Sequence, residues 1–588
     1  MTEQPREPSQ HQHEPSGGVP PLGLVALVIF LLLCGYGIMA TLGMPQRWTQ
    51  QVVETEKHAD EHPSKDNIPA DAEVVEAENK TDGLPTEEHS DNHNEAKHHP
   101  PYSMVAPFAL LLLAIAILPL IPTTAHWWES NLHRFYVAAG LGLVTLLYYG
   151  FFSDFPLEGH WPAHYEVAAD AGVFDKISVV FINAIVADFI PFIILLFSLF
   201  TITGGIRIEG NLKASPFVNS VILFIGAFLA SFIGTTGAAM LLIRLLLETN
   251  QERKYKVHTV VFFIFCVCNC GGCLTPLGDP PLFLGYLKGV DFFWTFHLWG
   301  EWAFVNISLI VIYFLWDALW YYPKESKEDK ALDDVNQSGL KISGLDLNLP
   351  LLLGIVASVA LLSPGKPVPV VGQMLFPENN GHPWYFLREA IQLGLCAFSL
   401  AFGCRKIREA NAFNFVAITE VAALFFGIFI CMQAPLQILN VEGKNIVAAA
   451  KEKIGAKEPV LFFWATGSLS SVLDNAPTYV VFFETAKSLS PNSEADFEKK
   501  EFAGFKKLRE EGKMVPVGTG FIEFHLLAAI SLGAVFMGAM TYIGNGPNFM
   551  VKAIAEQSGV KMPSFFGYMG YSFALLLPLF ILMVWLFL

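Results

Sequence analysis

The sequence predicts an all-α polytopic membrane protein: about 11 transmembrane helices plus two re-entrant hairpins, arranged in two inverted repeats. Three observations lead there. Of the 588 residues, 53% are hydrophobic and 15% charged, with mean hydropathy +0.43, whereas soluble proteins carry roughly 25% charged residues. Apolar runs of about 20 residues, the length that crosses the hydrocarbon core, recur along the chain. Polar stretches rich in Gly and Pro interrupt that pattern twice, in the same order.

The runs lie at 21–44, 102–121, 134–153, 186–205, 296–322, 346–363, 384–402, 413–435 and 564–588. The first follows a polar tail (1–20) and exceeds the apolar core of a signal peptide, about 7–15 residues. It reads as a retained first transmembrane helix. Residues 45–101 read as an acidic loop. Within 45–100, 14 acidic side chains face 5 basic ones, a net −9 of the chain's −17. Six histidines (His58, His62, His89, His93, His98, His99) punctuate it. Low hydrophobicity and high charge predict disorder, and a charge run is ordinarily a solvated face rather than a cation-collecting antenna. Repeat 1 then spans 102–322, a polar linker 323–345, and repeat 2 346–588.

Short basic loops at 206–216, 250–256 and 403–409 belong inside by the positive-inside rule. The acidic segment and 364–383 belong outside, which puts the N-terminus inside and yields eleven crossings. Residues 487–515, with seven basic side chains, fall on the outer face against the rule. The predicted re-entrant hairpins are 217–249 and 459–487, broken by "SFIGTTGAA" (231–239) and "SSVLDNAPT" (470–478). Non-helical backbone at that depth is tolerated only inside protein or beside a cavity.

The repeat is the strongest signal. "TPLGDPPLF" (275–283) and "TYIGNGPNF" (541–549) share Thr, Gly, an Asp/Asn, Pro and Phe at identical spacing. These blocks lie in two broken helices, 257–290 and 516–556. Upstream, "ADFIPFIILLFSLF" (187–200) parallels "TEVAALFFGIFICM" (419–432), pairing Asp188 with Glu420. Inverted repeats with discontinuous helices are the architecture of secondary transporters. Gly and Pro unwind the helix so that bare carbonyls face a small ion, Thr and Asn add neutral oxygens, and Asp279 adds a charge that neutralises a cation or carries a proton.

At these residues the chain resembles the ion transporter superfamily, with its citrate transporter-like domain. "GGCLTPLGDPPLF" is similar to that group's G-G-x-x-T-x-x-G-[DT]-P-P signature. "SSVLDNAPTYVVFF" resembles the D-N-x-P-T hairpin of its NhaD-type sodium/proton antiporters, and residues 543–570 extend the likeness. The resemblance covers roughly 170–588. It implies a homodimer whose transport domain moves against a scaffold, elevator fashion. It also implies ion-binding roles for Thr235, Thr236, Asn269, Thr275, Asp279, Asp474, Asn475, Thr478, Thr541 and Asn545, with sodium at Asp279, Asn475 and Asn545. The first hairpin departs from the dicarboxylate carriers: it reads Gly234-Thr235-Thr236, not Ser-Asn-Thr.

Two function classes follow. A sodium/proton antiporter needs a carboxylate that holds either ion. A citrate, dicarboxylate or arsenite carrier needs a site without fixed negative charge, or with a cation to offset it. Asp279, Asp474 and Glu420 fall in or beside the predicted core, while the nearest cations, Arg244 and Lys487, fall at hairpin ends. That surplus of acids favours cations. His258 and His525 open the broken helices and read as pH-sensing or simply interfacial; Asp188 reads as an interfacial acid or a buried one.

The expected partners are the lipid bilayer, sodium and protons, with sodium as transported ligand and no cofactor. No G-x-x-x-x-G-K-[ST] loop occurs, so ATP drive is not expected, and nucleic acid is not an expected partner. Composition argues against a soluble enzyme. Seven of eight cysteines lie in membrane runs, which reads as helix packing rather than a metal cluster or disulfide framework. A bacterial-type plasma (inner) membrane is the expected location.

Overall fold

The computed structural model describes residues 22–61, 99–363, 366–455, 457–491, 493, 496–497, 502–518 and 520–588. Helices dominate because a bilayer offers the backbone no water, so each segment must satisfy its own N–H and C=O groups. Among the described residues, six helices are long and apolar enough to span, or up to eight if two bent pairs count as single spans. This is an all-α membrane protein, with fewer such spans than the expected eleven crossings.

The shortfall has local causes. The 102–121 run is not one straight helix: Tyr102–Ile117 and Pro122–Trp128 meet at 104°, where Pro119 and Pro122 remove helix donors. The 413–435 run becomes Val416–Cys431 and Gln433–Ile454, bent by 42°. Runs 346–363 and 384–402 give shorter helices, Leu345–Leu361 and Leu387–Phe402. The broken helices are short because protein surrounds them. Every residue from Val260 to Phe265 is at most 1% exposed, so lipid thickness does not set their length.

Each hairpin is a pair of helices joined at a polar tip. Pro216–Ile233 and Thr235–Thr249 meet at Gly234, whose φ of +81° suits glycine. At the open end, Asn219 and Asn250 exchange two side-chain hydrogen bonds of 2.8 Å, so the pair begins and ends at one level. The second hairpin joins Glu458–Ser470 to Asn475–Leu489. The first broken helix runs Val257–Cys266, a 3-10 turn Cys270–Cys273, then Pro280–Leu287. The second runs Phe524–Met537, Gly538–Met540, then Gly546–Gln557.

Three segments differ from expectation. Residues Met44–Glu61, assigned above to a disordered loop, form a helix. Its Thr49 hydroxyl donates to Pro383 O (3.2 Å) and accepts from Tyr385 N (3.0 Å), and Trp48 packs on Trp161. Docking contacts outweigh the unfavourable charge composition. Residues 62–98, the rest of that loop, lie outside the described residues. Residues 516–518 and 520–523 are not helical: Met514–Val517 pairs antiparallel with Gly520–Glu523, and Glu523 then caps the helix by accepting from His525 N and Leu526 N. The polar linker is also pinned. Strand Lys341–Ser343 pairs with Arg207–Glu209, and Asp333 accepts from Ala214 N.

His258 is buried within the protein. It is 1% exposed, and its Nε2 lies 3.1 Å from Asp317 Oδ1, while Asp317 takes two bonds from Arg253 (2.8 and 2.5 Å). This buried group fastens the start of the first broken helix to the end of helix Trp299–Trp316. Removing one partner of such a group strands the other's charge.

Close helix packing generates a test. A Cβ on Gly427 would meet the backbone of Ala138, with Cα 2.7 Å away, whereas one on Gly394 would meet nothing within 4 Å. Gly427→Ala is expected to cost about 1–3 kcal/mol by overpacking. It should lower the thermal unfolding midpoint in detergent, with Gly394→Ala unchanged.

Candidate functional site

The site forms where the two hairpin tips meet the two helix breaks. Asp279 caps Pro280–Leu287 with φ −145° and ψ 143°, and Asn545 caps Gly546–Gln557 with φ −153° and ψ 139°. A proline follows each within two residues, as suits a helix start. The breaks share their close approaches as well. A Cβ on Gly278 would collide with Gly272 O, and one on Gly544 would lie 2.7 Å from Gly538 O. Only glycine lets these loops fold back so tightly.

Threonines sew each tip to its break. Thr275 Oγ1 donates to Ser231 O and accepts from Leu277 N. In the second half, Thr541 Oγ1 donates to Ser471 O (2.6 Å) and accepts from Ile543 N (3.2 Å). The Thr235 amide donates to Gly278 O at 2.8 Å. These two threonines therefore hold the loops in place and spend their hydroxyls doing so.

The breaks cross at Asp279, which is 1% exposed. Its Oδ1 accepts from Thr235 Oγ1 (2.9 Å) and Asn545 Nδ2 (3.2 Å), and its Oδ2 accepts from Asn475 Nδ2 (2.5 Å). All three donors are neutral. Among the described residues no Lys, Arg or His forms an ion pair with Asp279 or Asp474. Asn545 Nδ2 also reaches Cys268 O (3.0 Å) and Asn269 Oδ1 (3.3 Å). Asn269 Nδ2 donates to Ile264 O (2.9 Å) and Asn548 Oδ1 (2.7 Å). One oxygen is left over: Asn475 Oδ1 is buried and accepts no hydrogen bond.

The electrostatics follow from the ends that meet here. Four helices start at the site (Thr235, Pro280, Asn475, Gly546) and four end there (Ile233, Cys266, Ser470, Met537). Positive and negative dipole ends therefore oppose one another, and the full charge on Asp279 decides the sign. Asp474 lies within electrostatic reach but turns its carboxylate to Ala476 N (3.1 Å), as the cap of its own helix.

Thus Asp279, Thr235, Asn475, Asn545 and Asn269 share one hydrogen-bonded cluster. Thr478 is buried and bonds its own helix at Asp474 O (3.0 Å), and Thr236 sits half-buried one residue past the tip. Glu420 does not join the cluster. It pairs with Arg134 at 2.8 Å, its side chain 39% exposed, because its helix begins at Val416 and places it one turn inside. Asp188 is half-buried in a π-helical stretch, Ile182–Phe189. Arg244 donates to Ala410 O and Asn411 O, anchoring the first hairpin.

Sequence reasoning missed two residues. Asn548 lies inside the quoted 541–549 block and was readable there. Arg388, 3% exposed, was not: its block has no repeat partner, and only tertiary packing brings it to Tyr286 and Phe283. Among the described residues no three His, Cys, Asp or Glu side chains converge as a metal group.

Paired hairpins and broken helices closing on a buried carboxylate with only neutral donors, inside an apolar helical bundle, define a membrane transporter. The family described as "Putative citrate transport" matches residues 97–588, and the chain belongs to it. No curated protein matches the chain. The matched region begins after the Leu22–Thr41 and Met44–Glu61 helices.

Asn548 supplies the structural test of this crossing. Its Nδ2 donates to Gly538 O (2.8 Å) and Thr541 O (3.0 Å), and its Oδ1 holds Asn269. Asn548→Ala removes three buried hydrogen bonds and is expected to cost about 1–3 kcal/mol or more, read as a lower unfolding midpoint. Thr478→Ser, which keeps its hydroxyl, should stay close to the parent.

Proposed function

We propose that the protein exchanges sodium for protons across the membrane, with Asp279 as the group that holds either ion. The observation that carries this reading is the pairing of a buried carboxylate that has only neutral donors with the unsatisfied Asn475 Oδ1 beside it. A carboxylate without a fixed countercharge is costly in an apolar interior. It is relieved either by a proton or by a hard cation that prefers oxygen ligands. Asp279, Asn475 and Asn545 would supply the first oxygens, with Thr235 and Asn269 around them. Protonation and sodium binding then compete at one atom pair, which is the coupling an exchanger requires.

Alternating access follows if the hairpins, the broken helices and the two helices bonded to them, Trp299–Trp316 and Phe565–Phe587, move together against the remaining helices. Their many mutual bonds make them one body, and discontinuous helices at a midplane site are typical of secondary transporters.

A second reading, an anion carrier for citrate or a related acid, is favoured by the family description. Arg388 could also serve an anion, yet its Nε donates to Glu389 Oε1 at 2.8 Å and a second guanidinium nitrogen donates to Tyr286, so its charge is already matched. At Asp279 an anion would meet a carboxylate unless that group were protonated or carried sodium.

The test is a sodium pulse to energised inverted vesicles with a pH dye inside. The gradient should dissipate with sodium, and labelled citrate should not accumulate. Asp279→Asn keeps an oxygen but cannot exchange a proton, so exchange should fall at least about a hundredfold, matching the roughly 10²–10⁴ that proton-transferring groups contribute. Folding should persist, since the substitution also removes the carboxylate's desolvation cost. Sodium-stimulated citrate uptake with an undisturbed gradient would reverse the ranking.

A further inference from the structure

The helix Pro280–Leu287 is only eight residues long, and it is held at three places. Its N-cap, Asp279, sits in the site. At its far end Lys288 pairs with Glu484 at 2.7 Å, on the helix whose first residue, Asn475, also bonds Asp279. Helix 280–287 and helix 475–489 are thus tied at both ends. They also touch midway, where a Cβ on Gly285 would run into the Tyr479 hydroxyl. Together they form one stiff arm behind the carboxylate.

The third tie leaves that arm. Tyr286, 2% exposed, donates its hydroxyl to Val359 O at 2.7 Å and accepts from the Arg388 guanidinium at 3.2 Å. Val359 lies on Leu345–Leu361 and Arg388 on Leu387–Phe402, neither of which belongs to a hairpin or a broken helix. Arg388 also lies over the rings of Phe283 and Tyr286, 5.9 and 5.5 Å from their centroids. The phenol oxygen therefore uses both a donor and an acceptor on the surrounding helices, at a point where no water competes.

We propose that Tyr286 is a positioning residue that fixes the depth of Asp279. Its hydroxyl locks the arm to the two outer helices in one of the two access states and is released in the other. The inference rests on the exchange reading above and adds a device to it: a buried bridge to the outer helices that helps set the balance between the two states.

The consequence is quantitative. For a two-state carrier, the ratio of the half-saturating ion concentrations at the two faces tracks the equilibrium between the states. A change in the site itself scales both concentrations alike and leaves the ratio fixed. Tyr286→Phe keeps the ring and its packing but removes both hydrogen bonds. A lost hydrogen bond of this kind shifts an equilibrium by about fivefold.

The experiment measures half-saturating sodium for proton exchange in right-side-out and in inverted vesicles, for the parent and for Tyr286→Phe. The expected result is a change of about fivefold in the ratio between faces, with the membrane level of the protein retained. Tyr286→Leu, which also lacks the hydroxyl, repeats the measurement if the Phe variant is poorly produced. A ratio equal to the parent's, whether both concentrations stay put or move together, overturns the positioning role while leaving exchange intact. A parent protein that gives no sodium response at either face overturns the exchange reading itself, and this inference with it.

Discussion

The structure depends on one constraint: Asp279 must be stable inside an apolar bundle with no cation beside it. An unpaired buried charge costs several kcal/mol, so its environment has to supply donors without supplying a compensating charge. Breaking two helices and folding two hairpin tips into the breaks brings side-chain donors from Thr235, Asn475 and Asn545 to both oxygens. The glycines at 278 and 544 follow from this, since a Cβ on either would collide with backbone carbonyl oxygens.

The breaks free carbonyls that need partners of their own. Ser231 O and Ser471 O go to Thr275 and Thr541, Cys268 O to Asn545, and Gly538 O and Thr541 O to Asn548. Asparagine suits this work because one amide offers both donors and an acceptor. The result is a network in which almost every buried polar atom is satisfied. Asn475 Oδ1 is one of sixteen buried side-chain atoms without a partner among the described residues; what singles it out is that its own amide nitrogen bonds Asp279.

Several buried or half-buried charges outside the site have a partner of opposite sign. Arg253 with Asp317, Arg388 with Glu389, Lys288 with Glu484 and Arg134 with Glu420 are all paired. Buried Lys176, Glu301 and Arg408 form no ion pair among the described residues, so a missing countercharge is not peculiar to Asp279; its place at the crossing, with three neutral donors on its carboxylate, sets it apart.

The sequence by itself determined the membrane class, the two polar breaks and the identity of the residues that meet there. Hydropathy runs and a nine-residue block repeated at fixed spacing are local, and local signals survive in one dimension. The Asn548 position was readable in that same block, because the repeat marks the whole crossing. Only the tertiary structure decided which of those residues share hydrogen bonds. Thr275 and Thr541 turned out to hold the loops, and Glu420 turned out to belong to Arg134. It also decided that Met44–Glu61 is a docked helix and that His258 and Arg388 are buried. Each of those outcomes depends on contacts between segments far apart in the chain, where burial and partner geometry override composition. A hydropathy profile records how apolar a stretch is, but not which neighbour lies against it.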